Sequence, residues 1–194
     1  MLKLRKASHR ELERYYSLFD MDFDRRELLP KLAIHKAMLR GDMELLLIYD
    51  EESEIVVAYA LSFCRSVYGY VLLKYFGVLP WFREKGMGVQ AMRLLHRYYA
   101  DRQGILAELT VFDPEDEGQT MKKLQKFFGR FGYEPLPCRY TIGGAPVELR
   151  LKQIKGRTDL SPVIHRVIYD FYDRCLGPVA QEKMLDIRPA ETEE

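Results

Sequence analysis

Chemistry in this chain concentrates in one stretch, Tyr75-Phe76-Gly77-Val78-Leu79-Pro80-Trp81-Phe82-Arg83-Glu84-Lys85-Gly86-Met87-Gly88. An apolar strand runs through a short loop into a helix, and the loop carries two glycines one residue apart with Arg83 ahead of them. A helix N-terminus leaves about four backbone N–H groups unpaired and carries roughly half a positive charge. Glycine lets anionic oxygens approach that backbone closely. Arg83 and Lys85 add positive charge at the same end. The combination reads as a cradle for a pyrophosphate. A plain strand-to-helix turn is the structural alternative, but the placement between a strand ending in Val78-x-Pro80 and an amphipathic helix favours the cradle. A dinucleotide fingerprint needs G-x-G-x-x-G after an early strand of a parallel sheet. Here Gly86-Met87-Gly88 is followed by Val89-Gln90-Ala91, and the strand is fourth in order.

Val78-Leu79-Pro80 followed by Arg83-Glu84-Lys85-Gly86-Met87-Gly88 resembles the acetyl-CoA motif of the GNAT N-acetyltransferase superfamily, (Q/R)xxGx(G/A). Leu124 to Tyr133 is similar to that superfamily's next motif, a helix ending in an aromatic after glycine. The resemblance implies acetyl transfer from acetyl-CoA to an amine acceptor and names no particular amine. It implies that the strand before the loop splays from its neighbour. Phe76, Gly77 and Val78 would then line the pantetheine arm, Arg83, Glu84, Lys85, Gly86, Met87 and Gly88 would hold the pyrophosphate, and Phe128 would join the cofactor contacts. A backbone N–H aimed at the thioester carbonyl would stabilise the developing oxyanion.

The match departs from the family at the general acid. The usual tyrosine lies five residues before the aromatic, and counting back from Tyr133 lands on Phe128. A thiolate of pKa about 8.5 can leave near neutral pH without full protonation. The amine, an ammonium of pKa about 10, must lose a proton first. Relatives often carry a carboxylate on the strand before the loop; this chain has Lys74 there, which reads as a solvated or ion-paired side chain rather than a base. Glu108, inside the apolar run Leu106-Ala107-Glu108-Leu109, is the catalytic-base candidate. Its alternative is a sheet-face glutamate paired with a Lys or Arg. Tyr75, Tyr133 and Tyr140 are further proton-donor candidates, each with a core or rim role as the alternative. The acidic run Asp113 to Glu117 could attract a cationic amine, although an ordinary solvated loop accounts for it as well. A non-catalytic acyl-CoA-binding or regulatory module of the same fold is the alternative function.

The elements that must position these groups follow from periodicity. Strands are expected at Leu2–Arg5, Met43–Tyr49, Ile55–Ser66, Tyr70–Val78 and Ile105–Val111, with a hairpin of Arg139–Ile142 and Val147–Leu151 across Gly143-Gly144. Ser8-x-x-Glu11 is a capping box opening a helix. Further helices are expected over Arg25–Arg40, with Leu28, Leu32 and Leu39 on one face, over Gly86–Asp101, and from a cap at Thr120 to Gly132. The order predicts an α/β fold of α+β character, a mixed, mostly antiparallel central sheet with helices on both faces. Residues 1–156 form the expected acetyl-CoA-dependent domain. Residues 157–194 form a helical C-terminal extension whose Ser161-Pro162 start and Ile164, Val167, Ile168, Phe171, Cys175 stripe predict one more helix, then a frayed tail from Arg188. That stripe packs on its own domain most simply, with a homodimer interface as the rival.

Composition narrows the partners. Thirty Lys and Arg against 29 Asp and Glu give a net charge of +1 over 194 residues, which argues against a nucleic-acid partner. Locally the balance breaks: Lys122, Lys123, Lys126 and Arg130 share one helix, suited to a polyanionic cofactor. No apolar run reaches the ~18 residues of a membrane span, and no secretory signal opens the chain. Three separated cysteines and four scattered histidines predict no metal site and free thiols in a reducing cytoplasm. There is no GxxxxGK[ST] loop, nucleophile elbow or HExxH motif.

Overall fold

The computed structural model describes residues 1–110, 117–138, 140–156, 159–177 and 184–187. The acidic run 113–116, Val111, Arg139 and the tail from Arg188 lie outside the described residues. In chain order the elements are β1 (Leu2–Lys6), α1 (His9–Asp22), α2 (Lys31–Arg40), β2 (Met43–Asp50), β3 (Val56–Phe63), β4 (Tyr70–Val78), α3 (Met87–Tyr98), β5 (Gly104–Thr110), α4 (Glu117–Gly129), β6 (Glu134–Pro135), β7 (Tyr140–Ile142), β8 (Ala145–Gln153), α5 (Ile164–Leu176) and β9 (Leu185–Ile187). A 3₁₀ turn, Pro80–Phe82, links β4 to the loop before α3.

The strands form one nine-stranded sheet in the order β1-β2-β3-β4-β5-β8-β7-β9, with β6 also on β8. Every pairing is antiparallel except β4 with β5. The strand period of two splits the apolar residues between two faces. In β2, Leu45 and Leu47 join a core with α1, α2 and α5, while Leu46 joins the core under α3 and α4. The predicted mixed sheet with helices on both faces is therefore the observed one. The α5 stripe, Ile164 through Cys175, is buried in the same core as α1 and α2, and β9 pairs with β7.

Several boundaries differ from expectation for local reasons. Ser8 and Glu11 make the full reciprocal capping box at α1. The second helix starts at Lys31, not Arg25: Pro30 precedes it, and proline disfavours helical geometry in the residue before it. Residues 25–27 form a turn instead. The face of α2 that packs inward is Ile34 and Ala37, leaving Leu32 and Leu39 exposed. Thr120 lies inside α4, which is already helical at Glu117. Helix α5 starts at Ile164, not Ser161, because the Asp159 carboxylate accepts the Ser161 N–H at 2.9 Å and holds a turn there.

Candidate active site

The decisive geometry lies between β4 and β5. Their parallel pairing runs from Tyr70↔Gly104 to Leu73↔Ala107 and then stops. Beyond it, β4 continues to Val78 against β3, and β5 continues to Thr110 against β8. The two strands thus diverge as a fork whose inner backbone edges have no strand partner among the described residues. The cause is a bulge. Leu61 faces Tyr75 while the next residue, Ser62, faces Leu73, so Lys74 is an extra residue in β4. A bulge bends its strand and resets its facing. Lys74 and Tyr75 consequently both turn toward the α1/α2/α5 side, where the Lys74 ammonium stands 5.3 Å from the Tyr75 ring centroid and 5.6 Å from that of Tyr172.

At the far end of β4 the loop into α3 presents its backbone. Glu84 and Gly86 both have positive φ, 62° and 73°. Among the described residues, the N–H groups of Glu84 through Val89 donate no hydrogen bond, and the first helical bond is Gln90 N–H to the Gly86 carbonyl. Successive amides exposed around a left-handed residue form an anion-binding concavity at the positive end of a helix. Gly88 lies close under Val78 and Phe127: a Cβ added there would sit 3.4 Å from Val78 Cγ2. Gly77 has a different constraint, since a Cβ there would collide with the ring of Tyr59, its cross-strand partner.

Fork and loop open into one cleft of about 1140 Å³. One wall is apolar and basic: Phe76 and Phe127 stack at 5.9 Å between ring centroids, and Lys123, Lys126 and Arg130 of the α4 region line the outer part. These groups and the free amides suit the charges of a CoA phosphate chain. The opposite wall comes from the end of α1 and the following turn, including Asp22 and Glu27. Beneath the fork sits a buried ionic cluster. Lys74 Nζ is 3.0 Å from Glu108 Oε2, and both side chains are at most 2% exposed. Tyr140 donates to Glu108 Oε1 and Tyr172 to Oε2, each at 2.7 Å. Glu27 Oε2 accepts from Thr110 at 2.6 Å and lies 4.0 Å from Lys74 Nζ. Burial pushes the Glu27 carboxyl above its ordinary value, with Lys74 opposing.

The expected site residues distribute as follows. Phe76, Gly77, Val78, Arg83, Gly88 and Phe128 line the cleft together. Glu84, Lys85, Gly86 and Met87 make the loop and first turn with open amides. Arg83 is turned away from those amides: Nε donates to the Val78 carbonyl at 2.9 Å and Nη2 to Asp22 Oδ1 at 2.6 Å. Glu108 reaches the cleft, but both its oxygens are engaged by Lys74, Tyr140 and Tyr172. The sheet-face pairing weighed for Glu108 is thus what the structure displays, with Lys74 as partner. Tyr75 donates to the Glu27 carbonyl and accepts from Leu29 N–H, and Tyr133 lies against His96 and Met92. Phe128, buried against Tyr133, brings no hydroxyl. The helix expected over Arg25–Arg40 hides the position of Glu27, and Pro30 is the signal in the sequence that Glu27 stands in a turn.

Among the described residues no cluster of His, Cys, Asp and Glu could hold a metal ion, and no helix is long and apolar enough to cross a membrane. No family model matches the sequence, and no curated protein matches it. Solved structures do. A GNAT-family protein from Bacteroides thetaiotaomicron aligns over 91% of this chain and 99% of its own, at 15% identity and a TM-score of 0.69. Arabidopsis thaliana NAA60 in complex with acetyl-CoA aligns over 80% of this chain and 100% of its own, at 13% identity and a TM-score of 0.59. The spermidine N-acetyltransferase of Vibrio cholerae, described as a dodecamer, covers 79% of this chain and 94% of its own, at 11% identity and a TM-score of 0.61. The chain has the fold of the GNAT N-acetyltransferases.

Proposed function

We propose that this chain, built on the GNAT N-acetyltransferase fold, moves an acetyl group from acetyl-CoA to an amine, with Glu27 as the general base. The observation that carries the reading is the β4–β5 fork, which opens into one cleft lined by Arg83 and Gly88 of the loop into α3 and, from the turn after α1, by Glu27. The amides, with Lys123, Lys126 and Arg130, bind the phosphates. Phe76 and Phe127 flank the apolar arm. The unpaired inner edge of β4 supplies backbone donors where the thioester carbonyl gains negative charge.

Glu27 is preferred to Glu108 on geometry. A general base needs an oxygen free to take a proton from the acceptor, whereas the Glu108 oxygens are spoken for by an ammonium and two phenols. Glu27 lies on the acceptor-facing wall and its raised pKa brings it closer to working pH. The acceptor loses a proton to Glu27, its nitrogen attacks the carbonyl carbon, and the C–S bond breaks with the electron pair leaving on sulfur. A thiolate of pKa about 8.5 leaves unaided, which accommodates Phe128 at the position of the family's tyrosine. The acceptor class is open to small amines, amino acids, antibiotics, peptide N-termini and protein lysines. Incubation with acetyl-CoA and each class, followed by mass detection of the acetylated product, tests the reading. A product in at least one class supports it; CoA binding with no product in any class favours the non-catalytic module.

A further inference from the structure

A second cavity, of about 570 Å³, lies at the opposite end of β4 from the phosphate loop. It is walled by the end of β1, the start of α1, the end of α2, and the segments leading into β4 and β5. Its charged lining is unbalanced: Lys6, Arg40, Arg65 and Arg102 face Glu44, with Asp42 just behind. Both carboxylates are already served. Glu44 takes Lys6 at 2.7 Å and accepts from the Tyr98 and Tyr99 hydroxyls at 3.0 and 2.9 Å. Asp42 takes Arg40 at 2.7 Å.

Two guanidinium groups are paired only at long range. Arg65 reaches only to 3.8 Å from Asp42 and donates no hydrogen bond to a described residue. Arg102 Nε is buried without a hydrogen-bond partner, with the exposed Asp101 carboxylate at 3.6 Å. A buried N–H of a charged group left unpaired is costly and calls for an acceptor. Paired guanidinium forks match the oxygens of phosphate and carboxylate groups. The volume falls within the range of small-molecule sites.

We propose that this cavity binds a small oxyanion carrying at least two negative charges, held mainly by Arg65 and Arg102. The site is separate from the cleft and belongs to no step of the acetyl transfer. Because β4 and β5 are paired at this end and parted at the other, the ligand sits on the closed base of the fork.

The test uses the full chain and two probes, inorganic phosphate and citrate, against chloride at matched ionic strength. Binding is read by calorimetry for wild type, for Arg65→Gln and Arg102→Gln, and for the cleft variant Lys123→Gln/Lys126→Gln. A side chain as exposed as Arg65 (64%) can be replaced without threatening the fold, so that variant decides the matter even if Arg102→Gln unfolds. The expected result is saturable binding of at least one probe, weakened about tenfold or more in the arginine variants, as the loss of a charge-assisted hydrogen bond implies, and unchanged in the cleft variant. No binding beyond chloride, equal binding in Arg65→Gln, or loss confined to the cleft variant would overturn the proposal.

Discussion

Arg83 Nη2 donates to Asp22 Oδ1 at 2.6 Å, and this contact ties the start of the loop between β4 and α3 to the last residue of α1. Asp22 also accepts from the Tyr59 hydroxyl at 2.7 Å, and Arg83 Nε caps the Val78 carbonyl at the end of β4. Arg83 therefore braces the loop and leaves the amides of Glu84 to Val89 open for the proposed phosphate contacts. The same brace joins the two walls of the cleft.

Replacing Arg83 by Ala should loosen that brace. CoA affinity is expected to fall about tenfold, while stability changes by less than about 1 kcal/mol because the Arg83 side chain is half exposed. Asp22→Asn should weaken CoA binding in the same direction with Arg83 intact. Calorimetric titration with CoA checks both, and unchanged affinity in two folded variants would remove the brace from the account.

Gly77→Ala should act through a neighbour. The added methyl drives into Tyr59, whose hydroxyl holds Asp22. Overpacking of this kind costs about 1–3 kcal/mol. Chemical denaturation should register that loss, and CoA binding should weaken with it; Tyr59→Phe should weaken CoA binding with a smaller stability loss.

The two buried glutamates should respond with opposite signs. Glu108→Gln leaves the Lys74 ammonium without its nearest carboxylate and should cost about 3 kcal/mol. Glu27 has its folded pKa raised by burial, so its ionised form is disfavoured in the native state above the ordinary carboxylate value. Glu27→Gln should leave stability at pH 7 equal to or above that of wild type. Denaturation of both variants side by side decides whether the two roles are assigned correctly.

The capping box offers a separate check on the fold. Ser8→Ala should cost about 1 kcal/mol. The Arg5 hydrogen bond holds the Glu11 carboxyl down to about 2. A depressed carboxyl stabilises the native state above its ordinary pKa, and that contribution is lost as pH falls from about 4.5 toward 2. Arg5→Ala should lower stability above about pH 5, where that contribution is complete, and its difference from wild type should shrink as pH falls toward about 2.

What could be read from the sequence was local. Strand β4 and the Gly86-x-Gly88 turn into α3 were legible because apolar runs and glycines report neighbouring backbone geometry. The resemblance, with a count back from Tyr133, puts Phe128 where the family usually has a tyrosine. The proposed base, Glu27, is not legible in the sequence. Glu108 looked isolated in an apolar run, and its pairing with Lys74 depends on a bulge that only the β3–β4 register reveals. Glu27 comes to the fork from a turn far along the chain, and Tyr172 reaches Glu108 from α5, 64 residues away. Tertiary contacts of this kind leave no periodic trace.

The most direct test is amine-dependent release of CoA thiol from acetyl-CoA, measured against pH for wild type and Glu27→Gln with the acceptor that gives product. Wild type should turn over along an acid limb set by a carboxyl raised above its ordinary value, and Glu27→Gln should lose that limb and about 10²-fold or more in rate while binding acetyl-CoA normally. A Glu27→Gln variant that keeps the wild-type rate and pH profile would contradict the account.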